Sequence, residues 1–408
     1  MMWFDLTLEA RDGSRHHARY NPHTSECEGL PLPVEPGIFA PVPRVAKDKP
    51  LGKSRAPRVL KIQLGLSCNY ACSYCNQAVQ IGDATVSKLA DVAQFLAQLD
   101  GWIAQAPEQI ELWGGEPFLY WAKIKRLIPA LKERFPGVAF SIISNGSLLD
   151  REKLDFIAQY DIAIGISHDG PGQHLRGPDP LDDLQKRRWI DTLLAERPEK
   201  TSFNAVLTRE HHDLRTLKAW FAENVGPDVF VGLEGVVNVY DAATATGTGR
   251  FEPAELNSLT RSIFEALVED PNAFGLGERI DEFYASLQRQ RPIEALGQKC
   301  GMDREDTIAV DLRGNVMTCQ NTGAKGVHKI GHVADFDGIA LNTATHFAFR
   351  PECMSCPVVQ LCKGSCMFLE WEFFKQSCAN EFAFNMGIMM AAVWHLTGMV
   401  VVGVETHH

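Results

Sequence analysis

Positive charge is the scarcest surface element of this sequence: 40 Lys and Arg stand against 51 Asp and Glu, a formal net charge of −11. A surface with that balance does not attract phosphate backbones, which argues against a large nucleic-acid substrate. A secretory leader is not expected either, because Asp5, Glu9, Arg11 and Asp12 interrupt any apolar region at the N-terminus. No internal repeat or low-complexity segment occurs, so a repeat array is not expected. Residues 382–404 contain no Asp, Glu, Lys or Arg, a run long enough to span a bilayer. Asn385, His395 and Thr397 lie inside that run, and residues 399–404 read as a buried strand. A core helix followed by a strand is therefore expected rather than a membrane span. What the chain has in quantity is cysteine. Its 11 cysteines are an odd number and tightly clustered, which points to metal binding rather than a disulfide framework and to a cytoplasmic location.

The 408 residues allow two or three domains. Residues 1–56 read as a preface: a strand at 4–8, an Asp12-Gly13 turn, a return strand at 17–20, then a linker with Pro31, Pro33, Pro36, Pro41, Pro43 and Pro50. A hairpin packed on the main body is expected, with the C-terminal strand as a candidate partner. Strand patterns follow at 59–66, 109–113, 138–143, 162–167, 202–207 and 229–233. Helical patterns fall between them at 86–103, 121–135, 151–157, 181–194 and 214–223. Six strands joined by five helical crossovers predict an α/β fold, a partial (β/α)6 TIM-like barrel over residues 57–250. A helical bridge at 251–299 and a cysteine-rich domain at 300–408 complete the expected organisation. In such barrels the chemistry sits at the C-terminal ends of the strands.

Cys68, Cys72 and Cys75 form a C-x3-C-x2-C run directly after the first of those strands. Three thiolates closing on a strand end can hold three irons of a 4Fe–4S cube and leave the fourth open. A zinc site or buried free thiols are the alternatives, though zinc usually takes four ligands in C-x2-C pairs. The second strand runs into Gly114-Gly115-Glu116-Pro117, where the glycines permit close backbone approach and the carboxylate can pair with an ammonium group. The third and fourth strands end in Ser144 and in Ser167-His168-Asp169, side chains suited to a ribose or a carboxylate, or else to capping the following helices. These segments resemble the radical S-adenosylmethionine (radical SAM) enzymes. The resemblance implies that Cys68, Cys72 and Cys75 hold the cluster and that Tyr74 lies near the adenine. It further implies that Gly114, Gly115 and Glu116 hold the methionine amino group and that Ser144, Ser167 and Asp169 line the cofactor. The stretch His174-Leu175-Arg176-Gly177 departs from the family pattern, so Arg176 is assigned no role.

The tail reads C-x13-G-x4-C over Cys300, Gly314 and Cys319, then C-x2-C-x5-C-x3-C over Cys353, Cys356, Cys362 and Cys366, and last Cys378. This resembles the seven-cysteine SPASM domain, which binds two auxiliary iron–sulfur clusters. The resemblance implies an outer cluster on Cys353, Cys356, Cys362 and Cys378 and an inner one on Cys300, Cys319 and Cys366, three 4Fe–4S clusters in all with the first. A pair of zinc sites is the alternative. Cys27 is left over as a free thiol. Met386, Met389 and Met390 read as core, and His16-His17, His211-His212 and His407-His408 lack a third partner at metal spacing.

The resemblance implies reductive cleavage of S-adenosylmethionine to a 5′-deoxyadenosyl radical, with electrons from a flavodoxin- or ferredoxin-type donor. Relatives with a SPASM domain mostly modify peptides, so a ribosomal precursor peptide is the expected partner and a crosslink or related oxidation the expected product. Formylglycine formation in sulfatases is the neighbouring alternative. It uses an Asp after the second tail cysteine, where this chain has Gln320. A small-molecule dehydrogenase and a non-catalytic iron–sulfur carrier are the others, and the Gly114–Pro117 segment argues against a carrier.

Overall fold

In the computed structural model, residues 2–39, 45–77, 87–240, 247–369 and 371–406 are described. Val86, Pro41, Pro43, His407 and His408 lie outside them. The preface folds as a three-stranded antiparallel sheet of β1 (Phe4–Glu9), β2 (Arg15–Asn21) and β3 (Glu26–Glu28). Along β1 the residues alternate between buried and half-buried, so Phe4, Leu6 and Leu8 form one apolar face.

The barrel strands are β4 (Val59–Gln63), β5 (Gln109–Trp113), β6 (Ala139–Ser144), β7 (Ile162–Ser167), β8 (Thr201–Leu207) and β9 (Val231–Val236), all parallel and in chain order. The crossovers α1 (Asp91–Trp102), α2 (Trp121–Arg134), α3 (Arg151–Gln159), α4 (Leu184–Glu196) and α5 (Leu214–Asn224) follow the first five strands. Three of these helices start where an aspartate caps them. Asp150 accepts from the Lys153 amide, Asp183 from Gln185 and Lys186, and Asp213 from Thr216. The helix-facing sides of the strands are apolar and closed, with Ile110, Leu112, Ile142 and Ile164 all buried. The other face is polar and only half-buried at Gln109, Glu111, Ser141 and Asn204. Those side chains line a cavity of about 600 Å³ inside the barrel.

The tail does not stand apart from this sheet. β10 (Thr307–Asp311) pairs parallel with β4, and β11 (Asn315–Met317) and β12 (Lys329–His332) continue it antiparallel, giving nine strands where the sequence pattern showed six. The cause is the exposed edge of β4, whose backbone groups need a partner. β10, buried at every position, supplies it. The bridge forms α6 (Pro253–Glu269) and α7 (Gly277–Arg289).

The uncharged run near the C-terminus lies within α8 (Trp371–Thr397) and β13 (Val400–Thr406). Its polar groups are satisfied inside the protein: Asn385 donates to the Glu381 carbonyl at 2.6 Å, and His395 lies 2.8 Å from that of Leu267. Met386 and Met389 are buried and Met390 packs against the core. Among the described residues no helix is long and apolar enough to cross a membrane. β13 pairs antiparallel with β1, Leu6 opposite Val404, so the two ends of the chain share one four-stranded sheet.

Candidate functional site

The loop after β4 is held against the end of β5 by two glycines. A Cβ on Gly114 would stand 2.5 Å from the Gly65 carbonyl oxygen, and one on Gly115 would stand 2.3 Å from that of Ser67. The glycines thus admit the cysteine loop itself, whereas the sequence reading had them admit a ligand. The Gly115 amide donates to Gly65 at 3.1 Å and the Glu116 amide to Ser67 at 3.0 Å. On this platform Cys68, Cys72 and Cys75 come together. Burial pushes each thiol up from its ordinary value, and a like neighbour adds to it: Cys72 acts on Cys68, Cys75 on Cys72 and Cys68 on Cys75.

Glu116 is buried and already engaged. Its Oε1 accepts from the Phe118 amide at 3.0 Å and from Ser144 Oγ at 2.8 Å, and its Oε2 accepts from the Asn145 amide at 2.8 Å. Burial raises its carboxyl, while these donors pull it back. The carboxylate therefore ties the end of β5 to the end of β6, a structural duty that its sequence context did not announce. Ser144 also accepts from the Gly146 amide at 3.0 Å, so it closes a turn. Ser167 ends β7 close to the surface of the barrel mouth, with relative exposure of 9%.

Asp169 does not cap the helical turn that follows it. Its Oδ1 accepts from the Val206 amide at 3.0 Å, joining β7 to β8. Its Oδ2 accepts from the Tyr74 hydroxyl and lies 3.0 Å from Arg176 Nε, in an ion pair whose N–H is not aligned for a hydrogen bond. The Arg176 guanidinium covers the Tyr74 ring at 5.6 Å. Arg176 thus belongs to the site after all. Its displaced spacing hid it in the sequence, and the single turn of helix at Gly170–Leu175 returns it to Asp169. His211 also acquires neighbours that linear spacing lacked: ligand atoms of His174, Glu210 and His211 lie within 4.8 Å of one another. The first two are exposed and the third half-buried.

The seven tail cysteines separate into two groups. Burial and the neighbouring Cys300 and Cys366 push the Cys319 thiol up to about 12, and Cys366 rises to about 11 through burial and Cys300. Cys353, Cys356, Cys362 and Cys378 line a second, small cavity of about 20 Å³, in which burial lifts Cys353 to about 12 and Cys356 to about 11. Buried thiols crowded in this way stay protonated unless a cation shares the space, so both sets, like the first, are chemically suited to iron. Cys300 is exposed to water, and the protein packed around it raises its thiol as well. Gln63 Nε2 anchors the loop after Cys319 by donating to the Gln320 and Thr322 carbonyls at 2.8 and 2.9 Å. The Gln320 side-chain oxygen lies 3.4 Å from Cys319 Sγ. Tyr240, which sequence reasoning missed, is electrostatically coupled to Cys366, Cys319 and Cys300 and hydrogen-bonded to Asn76, the residue after Cys75. Cys27 lies apart on β3.

Comparison with known proteins gives a consistent picture. Residues 62–207 match the Radical SAM superfamily. A radical SAM cyclopropyl synthase, TigE, of Paramaledivibacter caminithermalis is 26% identical over 174 residues, 38% of this chain. An S-adenosylmethionine-dependent nucleotide dehydratase of Psychrobacter lutiphocae is 31% identical over 114 residues, 25% of this chain. The matches span 37% of the length of each relative. The fold is similar to that of anSMEcpe with bound AdoMet and Cp18Cys peptide, at a TM-score of 0.59 and 16% identity, covering 82% of this chain and 99% of that one. A histidine-tagged form of anSMEcpe with bound AdoMet gives 0.60 and 17% over the same shares.

Proposed function

We propose that this chain, whose residues 62–207 match the Radical SAM superfamily, is an enzyme that oxidises a residue of a ribosomally made peptide, closing a crosslink. The observation that carries the reading is the gathering of Cys68, Cys72 and Cys75 beside Tyr74, Asp169 and Arg176 at the C-terminal ends of parallel strands. Those cysteines would hold a 4Fe–4S cluster, Cys300, Cys319 and Cys366 an inner auxiliary one, and Cys353, Cys356, Cys362 and Cys378 an outer one. The chemistry these groups supply when bound, with S-adenosylmethionine and a flavodoxin- or ferredoxin-type donor, is one-electron cleavage of the sulfonium to a 5′-deoxyadenosyl radical.

The chain's own residues do the rest. Glu116 keeps a buried carboxylate at the strand ends, where an ammonium group would be received. Asp169 fixes Tyr74 and Arg176 as one wall of the cofactor pocket. Ser144 orients Glu116, and Ser167 stands at the neighbouring strand end. The hollow barrel interior, lined by both polar and apolar side chains, gives room to a peptide segment. The anSMEcpe fold, solved with AdoMet and a peptide, supports that choice of substrate. With Gln320 beside Cys319, the acidic group that formylglycine formation uses there is absent. Incubating the reconstituted protein anaerobically with S-adenosylmethionine, dithionite and any short peptide encoded beside its gene is the test. A loss of two hydrogens per crosslink is expected. Formylglycine in a sulfatase peptide, with that neighbouring peptide unchanged, would overturn the reading.

A further inference from the structure

The last barrel strand has a fault in its register. β8 and β9 pair Ala205 with Leu233 and then Val206 with Gly235, which leaves Glu234 as the extra residue of a β-bulge. Gly235 follows at φ 140°, a conformation in which a side chain would be strained. Lys299 Nζ donates to the Glu234 carbonyl at 2.8 Å and pins the bulge from the start of the cysteine-rich tail. Bulges re-aim side chains and gather near active sites.

The side chain re-aimed here is a carboxylate with no hydrogen bond or ion pair among the described residues. It is exposed to water but closely surrounded by protein, and burial pushes its carboxyl up against the pull of Arg176. Arg176, Asp169 and Lys299 are the charged groups facing it. The first two form the buried pair beside Tyr74, so Glu234 lies within electrostatic reach of that wall of the site. Three other carboxylates on or beside these strands are already engaged. Glu111 is held by Lys61 at 3.0 Å and by Trp113 Nε1 at 2.8 Å, Glu116 by three donors, and Asp169 by Val206, Arg176 and Tyr74. A carboxylate without partners holds nothing together. What it can do is take a proton, and its raised carboxyl holds one more readily than an ordinary carboxylate.

We propose that Glu234 is the catalytic proton acceptor of the reaction, an inference that rests on the peptide-oxidising function above. Joining two substrate positions removes two hydrogens. One leaves as a hydrogen atom to the 5′-deoxyadenosyl radical, giving 5′-deoxyadenosine. The other leaves as a proton to the Glu234 carboxylate and an electron to a one-electron acceptor of the iron–sulfur class. The proton later passes to water.

Glu234→Gln tests this, since the amide keeps the shape and abandons no partner. Its turnover of the neighbouring peptide is expected to fall about 100-fold or more. The parent's rate should fall with acidity through a limb above the ordinary carboxylate range; that limb should vanish in Glu234→Gln and return, displaced, in Glu234→Asp. Infrared difference spectra of the reconstituted, substrate-free protein give an independent readout: a protonated-carboxyl band lost on raising the pH, absent from Glu234→Gln. Equal turnover with the same acid limb, or identical infrared titrations, would overturn the proposal. If the parent fails to cleave S-adenosylmethionine, the function reading falls, and the infrared titration still decides whether Glu234 is a free, raised carboxylate.

Discussion

At the scale of single residues, the site combines groups whose identity the sequence displays with groups whose position only the fold supplies. Cys68, Cys72 and Cys75 are legible because a short loop forces their proximity whatever the rest of the chain does. Arg176 and Tyr240 were not, because Arg176 meets Tyr74 and Tyr240 meets the tail cysteines through contacts between segments distant in sequence. Glu116 is an intermediate case: its place is legible, but its duty toward Ser144 and Asn145 is not. Glu116→Ala is therefore expected to do two things. It should weaken S-adenosylmethionine binding while iron content holds, and it should lower unfolding stability by about 2–4 kcal/mol as three buried donors lose their acceptor. Equilibrium dialysis and denaturant titration of the same sample measure both. A variant as stable as the parent would show that the three hydrogen bonds contribute nothing net.

At the scale of elements, the six barrel strands and five crossovers follow from apolar periodicity, because the helix-facing sides of the strands must be buried. The ninefold sheet does not follow, since nothing in a five-residue apolar run such as Thr307–Asp311 says which edge it will complete. Two elements give direct tests. Lys53 sends its ammonium to the carbonyls of Met302, Arg304 and Thr307 at 2.7, 2.8 and 2.9 Å, strapping the linker to the segment that leads into β10. Lys53→Met should cost about 2–4 kcal/mol in denaturant unfolding, through carbonyls left without a donor; no change would mean that water replaces the ammonium freely. The bulge in β9 is the second. Gly235→Ala forces a side chain into φ 140° and should cost about 1–3 kcal/mol. It should also shift the Glu234 infrared band, and a variant that leaves both stability and band untouched would remove the bulge from the account.

At the scale of the molecule, the two ends of the chain close on one another. β1 and β13 share a sheet, and His23 Nε2 lies 2.6 Å from the Met354 carbonyl while Gln360 Nε2 donates to Pro22 at 2.8 Å. The preface is thereby seated on the lobe that carries Cys353, Cys356 and Cys362. Removing residues 2–28 should expose that lobe and make the outer set the first to lose iron on exposure to chelator, followed as iron release over time. Loss in the parent's order would separate the preface from the stability of that set. The central claim is that eleven cysteines are sorted by the fold into sets of three, three and four, with Cys27 outside them, and that the sets hold iron. Iron and zinc counts on anaerobically reconstituted protein test it most directly. The account predicts about twelve irons per chain, falling by about four when Cys68, Cys72 and Cys75 are all replaced by Ala. Stoichiometric zinc with little iron, or a triple variant that keeps its full iron complement, would contradict it.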